Sequence, residues 1–331
     1  MSSFSHVPES PIYYGYNGSP FVSKLEAVLK LKNIPARRVD VPLTPPRVDI
    51  LALGIPYRRV PVLAIGKDVY IDTSLISEAL EKAYPSSPIL ATDVGLQKAV
   101  TKFYDHFLFN LGFDILPWNK TPKSLQEDRK KFIGRPDIDF DEVATRKELA
   151  HSKLASHLAI LEEHFSDGRV WYFSTPSPTY TDAGIYAVLD WIRSFRATRP
   201  VFDSTVFPKT VAWFGRLDTL FAAKPPLGKV KGPDAAKEIF SSTFTADLSQ
   251  IGFDEVEAKR LGLKKGAKVV ISPEDSGRDV VTPGVLIALS KQEAVIETEQ
   301  KGQHVIPSLR VHFPRLGYSI REVPNGENAK L

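Results

Sequence analysis

The sequence contains no cysteine among its 331 residues. This absence excludes disulfides, thiolate zinc sites, iron–sulfur clusters and a cysteine nucleophile. Any thiol chemistry must therefore use a thiol that belongs to a ligand. The sequence also lacks an apolar run of the ~20 residues that span a bilayer, and its first residues have neither the basic nor the apolar region of a secretory signal. We expect a cytoplasmic protein with no membrane span.

A strong excess of charge of one sign is also missing. The 43 basic and 39 acidic residues give a net charge of +4. Dense basic stretches are short, such as the one at 258–268. A surface that follows phosphates needs clustered basic residues, so we predict no nucleic-acid partner. His151, His157 and His164 lie on one predicted helix at spacings of 6 and 7, which do not match a helical metal pair, and we predict no metal site.

The last three residues are Ala329, Lys330 and Leu331. They are a conservative variant of the Ser-Lys-Leu peroxisomal address. A chance tripeptide at the chain end is the other interpretation. Peroxisomal targeting is therefore the alternative to a cytoplasmic location.

The first 85 residues alternate between strand and helix patterns. Strands are predicted at 11–16 and 36–43, with a helix from Phe21 between them whose apolar face includes Leu25, Val28 and Leu29. Lys24, Glu26, Lys30 and Lys32 are expected mostly outside that face. A hairpin at 60–71 and a helix from Thr73 to Ala83 follow. The order β-α-β, linker, β-β-α is typical of a thioredoxin-like fold.

Helical periodicity dominates from about 93 to 225. Helices are predicted at 95–113, 141–165, 179–195 and 207–223, and Thr179 and Asp182 form a capping pair at the start of the third. A Pro/Gly-rich stretch at 224–233 marks a boundary. Beyond it we predict one helix near 253–261 and short antiparallel strands. The predicted units are 1–90 (thioredoxin-like), 93–228 (all-helical) and 236–331 (a small β-rich extension).

Ser19 lies at or beside the N-cap of the first helix, before Pro20. One interpretation is that its oxygen accepts a hydrogen bond from a backbone amide as a cap. The other is that its hydroxyl donates to a reactive anion. A thiol of pKa about 8.5 is mostly protonated at pH 7, and a hydroxyl donor at a helix N-terminus favours the thiolate.

Several segments resemble the glutathione transferase superfamily, in particular its tau and omega classes. They are "SPFVSKLEAVLKLKNIP" at 19–35, "GIPYRRVPVL" at 54–63, "DTSLISEAL" at 72–80 and the Thr179–Asp182 pair. Together they cover about residues 11 to 225. The extension after 230 is similar in layout to extended transferase-like proteins of filamentous fungi, which gives an expectation of a role in secondary metabolism.

The resemblance implies a site for glutathione as co-substrate. Ser19 would donate to the glutathione thiolate, with Asn17 and Tyr16 as alternative donors. Val60 and Pro61, a cis pair in the family, would hold the cysteinyl backbone, and Arg59 would meet the glycyl carboxylate. Asp72 and Thr73 would bind the γ-glutamyl end, where the chain departs from the family's Glu-Ser pair. The alternatives are a solvated Arg59 and simple capping by Asp72 or Thr73.

The same resemblance implies a second substrate between the domains. Candidate contacts are Phe103, Phe107 and Trp118, although periodic aromatic residues are more often core. We expect an enzyme that adds glutathione to an apolar electrophile, or that isomerises or eliminates by adding and releasing it. A homodimer is also expected. A non-catalytic member that binds ligands or a protein is the alternative.

Overall fold

The computed structural model describes residues 10–88, 90, 92–298 and 307–323. Its N-terminal part has the predicted order β-α-β, then β-β-α, with one short extra helix, α2, in the linker. The elements are β1 (Ile12–Gly15), α1 (Pro20–Leu31), β2 (Arg37–Asp40), α2 (Val48–Leu51), β3 (Val62–Ile65), β4 (Asp68–Ile71) and α3 (Thr73–Ala83). The thioredoxin-like prediction is confirmed.

Helix α1 packs closely on the sheet. A Cβ added at Gly15 would lie 2.7 Å from a methyl carbon of Val22, so only glycine permits this approach. Leu25, Val28 and Leu29 are buried as predicted, but Lys24 and Lys32 are buried as well. The placement of these two lysines outside the buried face was wrong. Lys24 pairs with Asp105 on the first helix of the helical part and Lys32 pairs with Glu81 on α3, and the periodicity of one helix cannot reveal such partners.

The helical part follows the prediction with two differences. It comprises α4 (Val94–Ile115), α5 (Lys123–Ile133), α6 (Phe140–Thr145), α7 (Lys147–His164), α8 (Tyr180–Ser194) and α9 (Pro208–Ala222). The predicted helix at 141–165 is divided at Arg146 into α6 and α7. Helix α5 was not predicted because it has no apolar stripe, and Gln126 is its one buried residue. Helix α8 is the predicted buried helix and packs against α1 and α4.

The last third contains more helix than the sequence indicated. It comprises β5 (Gly228–Lys229), α10 (Gly232–Ser241), α11 (Leu248–Ile251), α12 (Glu255–Leu261), β6 (Lys268–Pro273), β7 (Thr282–Leu289), β8 (Glu293–Glu297), β9 (Arg310–Pro314) and β10 (Tyr318–Glu322). Helix α12 is the helix expected near 253–261, whereas α10 and α11 were missed. Helix α10 begins at Gly232, inside the Pro/Gly stretch that resembles a linker.

The described strands form one sheet in the order β10-β6-β7-β8-β9-β4-β3-β1-β2-β5. Strand β9 pairs in parallel with β4, and β5 pairs in parallel with β2. Strand β9 of the extension and β5 of the preceding Pro/Gly stretch therefore cover the two edges of the thioredoxin-like sheet, which removes two rows of unpaired backbone groups. Because one sheet runs through the first and third predicted units, the division of the chain into three units stays a proposal.

The junction between β4 and β9 buries a cluster of charged side chains. The His312 ring lies between two carboxylates, with Nε2 3.0 Å from Asp68 Oδ1 and Nδ1 2.6 Å from Glu293 Oε1. The second oxygen of Asp68 accepts hydrogen bonds from the amides of Thr245 and Ala246. The extension is thus held to β4 by charge as well as by strand pairing.

None of the helices in the described ranges is long and apolar enough to span a membrane. The possible targeting tripeptide Ala329–Leu331 lies outside the described residues.

Candidate functional site

Most of the predicted glutathione-site residues lie at one end of the central strands of the sheet. Tyr14, near the end of β1, pairs with Val62 at the start of β3, and Val62 pairs with Ile71 at the end of β4. The segments after β1, before β3 and after β4 therefore lie at the same end of these strands. Those segments carry Ser19, Arg59, Val60, Pro61, Asp72 and Thr73.

Ser19 is the N-cap of α1 and is buried. Its Oγ lies 3.4 Å from the Val22 amide, which donates a long and therefore weak hydrogen bond. A serine hydroxyl has two acceptor lone pairs and one donor hydrogen. Capping uses one lone pair and leaves the O–H group able to donate. The two interpretations of Ser19 are therefore compatible.

Tyr16 and Asn17 border Ser19. Asn17 is exposed and Tyr16 is half-buried. The guanidinium of Arg47 lies 5.6 Å from the centre of the Tyr16 ring. Arg47 is itself buried, and its Nη1 has no hydrogen-bond partner among the described residues. Burial lowers the Arg47 pKa. Sequence reasoning missed Arg47, because this residue follows the irregular Pro45–Pro46 segment, where no periodic pattern indicates which side chains are buried.

Val60 and Pro61 are buried, and the peptide bond between them is cis. Arg59 does not extend into solvent, because the segment between β6 and β7 contacts it. Its Nε donates to the Ser276 carbonyl at 3.0 Å, and its Nη2 donates to the same carbonyl and to the Asp275 carboxylate. Nearby, the hydroxyl groups of Tyr57 and Tyr318 are 2.6 Å apart.

Asp72 and Thr73 begin α3. Asp72 has a φ of 73°, and its Oδ1 accepts hydrogen bonds from the Ser74 amide and hydroxyl at 2.9 and 2.5 Å. Its other oxygen lies 3.4 Å from Lys102 Nζ on α4. Burial alone would raise the Asp72 pKa, but Lys102 and the Ser74 hydrogen bonds outweigh it and the pKa is lowered. Asp72 is thus a charged cap whose carboxylate is already partnered.

A buried ion pair lies beside Asp72. Lys24 Nζ is 2.6 Å from Asp105 Oδ2 and 4.7 Å from the centre of the Tyr180 ring. Asp105 Oδ1 is buried without a hydrogen-bond partner among the described residues. Burial raises the Asp105 pKa despite the nearby lysine. The sequence did not indicate this pair, because its members lie 81 residues apart on α1 and α4.

The predicted second-substrate contacts separate into two groups. Phe103 and Phe107 on α4 are exposed, and their ring centres are 4.8 Å apart. Trp118 is buried, packs 4.3 Å from the Phe140 ring and donates its indole N–H to the Phe113 carbonyl at 2.7 Å. Trp118 is therefore a core residue between α4 and α6, and the structure does not bring it together with the two phenylalanines.

Comparison with known sequences supports the motifs. Residues 14–88 match the family described as glutathione S-transferase, N-terminal domain, and residues 114–225 match a domain of unknown function, DUF7962. Glutathione S-transferase U1 of Arabidopsis thaliana is 31% identical over 112 residues, which are 33% of this chain and 50% of that protein. Glutathione S-transferase U6 of the same plant is 29% identical over 105 residues, 31% of this chain and 47% of that protein. The chain spans about half the length of the curated relatives it matches.

Comparison with solved structures shows that the whole layout occurs elsewhere. A GST-like protein from Pseudomonas syringae aligns with a TM-score of 0.70 at 23% identity, covering 95% of this chain and 99% of that one. This likeness establishes the fold, including the extension. The resemblance to fungal proteins stays a prediction. Residues 14–88 are thus similar to the N-terminal domain of glutathione S-transferases, and the chain as a whole has the fold of a GST-like protein.

Proposed function

We propose that the chain is a glutathione transferase-like enzyme that activates the thiol of glutathione as co-substrate. The observation that carries this proposal is the position of Ser19. Its hydroxyl oxygen caps α1 with one acceptor lone pair and leaves the O–H group able to donate. Ser19 also lies at the same end of the central strands as Val60–Pro61 and Asp72. A hydroxyl donor at a helix N-terminus stabilises a thiolate placed there. A thiol pKa lowered by about two units corresponds to roughly 2.7 kcal/mol of differential stabilisation.

The remaining residues supply the rest of a tripeptide cradle. The backbone at Val60 would pair with the cysteinyl part of the ligand. The first-turn amides of α3, together with Thr73, suit the γ-glutamyl carboxylate, and Asp72 suits its ammonium group. Arg59 and the buried Arg47 are the cations available for a glycyl carboxylate. Tyr16 and Asn17 remain the alternative thiol donors.

The second substrate in this proposal is a small apolar electrophile. Phe103 and Phe107 offer an exposed aromatic surface on α4, which suits an apolar ligand. The thiolate would add to the electrophilic carbon, and in an isomerisation or elimination it would leave again. We propose a homodimer on the family resemblance alone.

Substitution of Ser19 tests the assignment. Ser19→Ala is expected to lower kcat/KM for conjugation of glutathione to a chromogenic aryl halide by about 10- to 100-fold, in the range of a lost hydrogen-bond donor to an anion. It should also raise the pKa seen in the pH–rate profile. Ser23→Ala, one turn further along α1, is the matched control and should leave both unchanged. If the Ser19→Ala variant conjugates at the normal rate, Ser19 is not the thiol donor. The donor is then whichever of Tyr16 and Asn17 lowers the rate when it is replaced, in Tyr16→Phe or Asn17→Ala.

A non-catalytic binding protein is the second candidate. The observation that favours it is that charged groups of the cradle are already partnered, Arg59 by Asp275 and Asp72 by Lys102. Retention on immobilised glutathione without conjugation of any tested electrophile would support this alternative.

A further inference from the structure

The segment between β6 and β7 contacts two parts of the protein at once. We call residues 274–281 the strap. Asp275 and Ser276 bind Arg59, which immediately precedes Val60 and Pro61. The next residue, Gly277, donates its amide to the Phe132 carbonyl at the end of α5 at 2.6 Å. The strap therefore ties the start of β3 to the helical domain.

The strap adjoins the candidate ligand site. The Arg59 guanidinium lies 6.0 Å from the centre of the Tyr318 ring on β10, and the Tyr318 hydroxyl contacts that of Tyr57. The charge on Asp72, at the other end of the cradle, contributes to the raised pKa values of Tyr57 and Tyr318, although burial is the larger cause. Arg59 and the two tyrosines thus contact one another, and the Asp72 carboxylate acts on the tyrosines through its charge.

The strap accepts hydrogen bonds from the Nε and Nη2 groups of Arg59, the pair of parallel donors that could otherwise bind a carboxylate. A guanidinium binds a carboxylate most strongly through two parallel N–H groups. The Nε and Nη2 groups of Arg59 already donate to the Ser276 carbonyl and to Asp275. Nη1 of Arg59 donates no hydrogen bond to any residue that the structure describes, and the Asp275 carboxylate offsets the positive charge of the guanidinium.

We propose that Asp275 is a specificity-determining residue of the thiol-ligand site. By pairing with Arg59 it reduces the preference for a ligand with a free glycyl carboxylate. The site thereby accepts γ-glutamyl thiols that are uncharged at that end more readily than an unpaired Arg59 would allow. This inference rests on the proposed function, because it assumes that the site binds γ-glutamyl thiols.

The test compares two ligands of nearly equal size by isothermal titration calorimetry. One is glutathione and the other is its glycine monoethyl ester, which lacks the carboxylate charge. The quantity measured is the ratio of the two dissociation constants, ester over glutathione. Asp275→Asn should raise this ratio about three- to fivefold, the range of an ion pair with one exposed partner. The Asp275 side chain is 69% exposed, so the substitution should not unfold the protein.

Two further variants complete the design. Asp279→Asn removes another exposed carboxylate of the strap and should leave the ratio unchanged. Arg59→Gln should lower the ratio, and adding Asp275→Asn to it should have no further effect, because the residue on which Asp275 acts is gone. A thermal melt of each variant checks that it is folded.

The outcomes separate this inference from the function on which it rests. If the wild type binds glutathione and Asp275→Asn leaves the ratio as it was, the role of Asp275 is wrong while the glutathione site stands. The same conclusion follows if Asp279→Asn raises the ratio equally. If neither ligand binds the wild type or any variant, the proposed function itself is overturned, and this inference with it.

Discussion

Single residues at the helix starts combine structural and chemical roles. Ser19 and Asp72 both cap helices in the thioredoxin-like part, and both lie at the candidate site. At both positions the side chain accepts a hydrogen bond from an otherwise unpaired backbone amide of the first helical turn. The same arrangement binds anions. Capping and the proposed ligand binding at these positions would therefore both depend on the polar groups at a helix start.

Asp182 shows the purely structural form of this feature. It has no exposed surface, and its two oxygens accept hydrogen bonds from the amide and hydroxyl of Thr179, the amide of Tyr172 and the indole of Trp213, all at 2.8–2.9 Å. Removing it leaves several buried donors unsatisfied, each at a cost of about 1 kcal/mol or more.

We predict that Asp182→Ala lowers the free energy of unfolding by about 3–4 kcal/mol, near the upper end for single substitutions. Urea unfolding followed by tryptophan fluorescence measures it, because all four tryptophans lie in the helical part. Asp182→Asn keeps one acceptor oxygen and should lose less. An Asp182→Ala protein of normal stability would contradict the structural role.

At the scale of elements, the junction between β4 and β9 decides how the extension is attached. Burial alone would lower the His312 pKa, but the hydrogen bonds and charges of Asp68 and Glu293 outweigh it and raise the pKa. Burial would raise the Asp68 pKa, but His312 and the Thr245 and Ala246 amides lower it. The junction is therefore most stable with His312 charged and Asp68 ionised.

This arrangement predicts a pH dependence of stability with a definite sign. The His312 contribution is fully present below its unfolded-state pKa of about 6.5 and is lost as the pH rises through the higher folded-state pKa. The Asp68 contribution is present above about pH 3.9 and is lost as the pH falls through the depressed folded-state pKa. Stability should therefore be greatest between about pH 4 and 6.5, and the free energy of unfolding of the wild type should fall as the pH rises from 6 to 9.

Urea midpoints at half-unit steps of pH measure this dependence. His312→Gln should be less stable at pH 6 and should lose most of the alkaline slope, because the titrating group is absent. Exposed His106→Gln is the control and should keep the wild-type slope. An unchanged slope in His312→Gln would show that another group titrates.

At the scale of the whole molecule, the sheet is continuous from the extension into the thioredoxin-like part. The outer strand β10 is five places from β4 in the sheet order, yet its Tyr318 contacts Tyr57, which precedes β3. The sheet must therefore curl so that the extension returns to the candidate site. Its attachment involves strand pairing, the His312 junction and the strap.

We predict that the extension and the thioredoxin-like sheet unfold together. In native-state hydrogen exchange at increasing urea, the amides of β4 and β9 should show opening free energies that agree within about 1 kcal/mol and merge with the global value. If the opening free energy of the β9 amides is well below that of the β4 amides, the extension opens by itself. The strap could then leave Arg59 without unfolding of the rest of the protein.

The sequence by itself determined the parts of the protein that depend on local pattern. The period of apolar residues set β1, α1, α3, α8 and α9, and the cap residues set where α1 and α8 begin. The ordered motifs identified the thioredoxin-like fold and brought Ser19, Val60–Pro61 and Asp72 into one hypothesis. Helix α5 was not predicted because its surface is mostly polar, and α10 was not predicted because it starts within a Pro/Gly stretch.

Only the tertiary structure decided which distant residues meet. Strand pairing is chosen between edges, and a strand's own pattern does not name its partner, so the sequence could not place β9 beside β4. The buried Lys24 side chain pairs with Asp105, and Arg59 pairs with the exposed Asp275, so these contacts join residues 81 and 216 positions apart. Charged residues of this kind look like solvated surface groups in a periodicity plot. Their burial or pairing depends on which element packs on them, and that is fixed only when the whole chain folds.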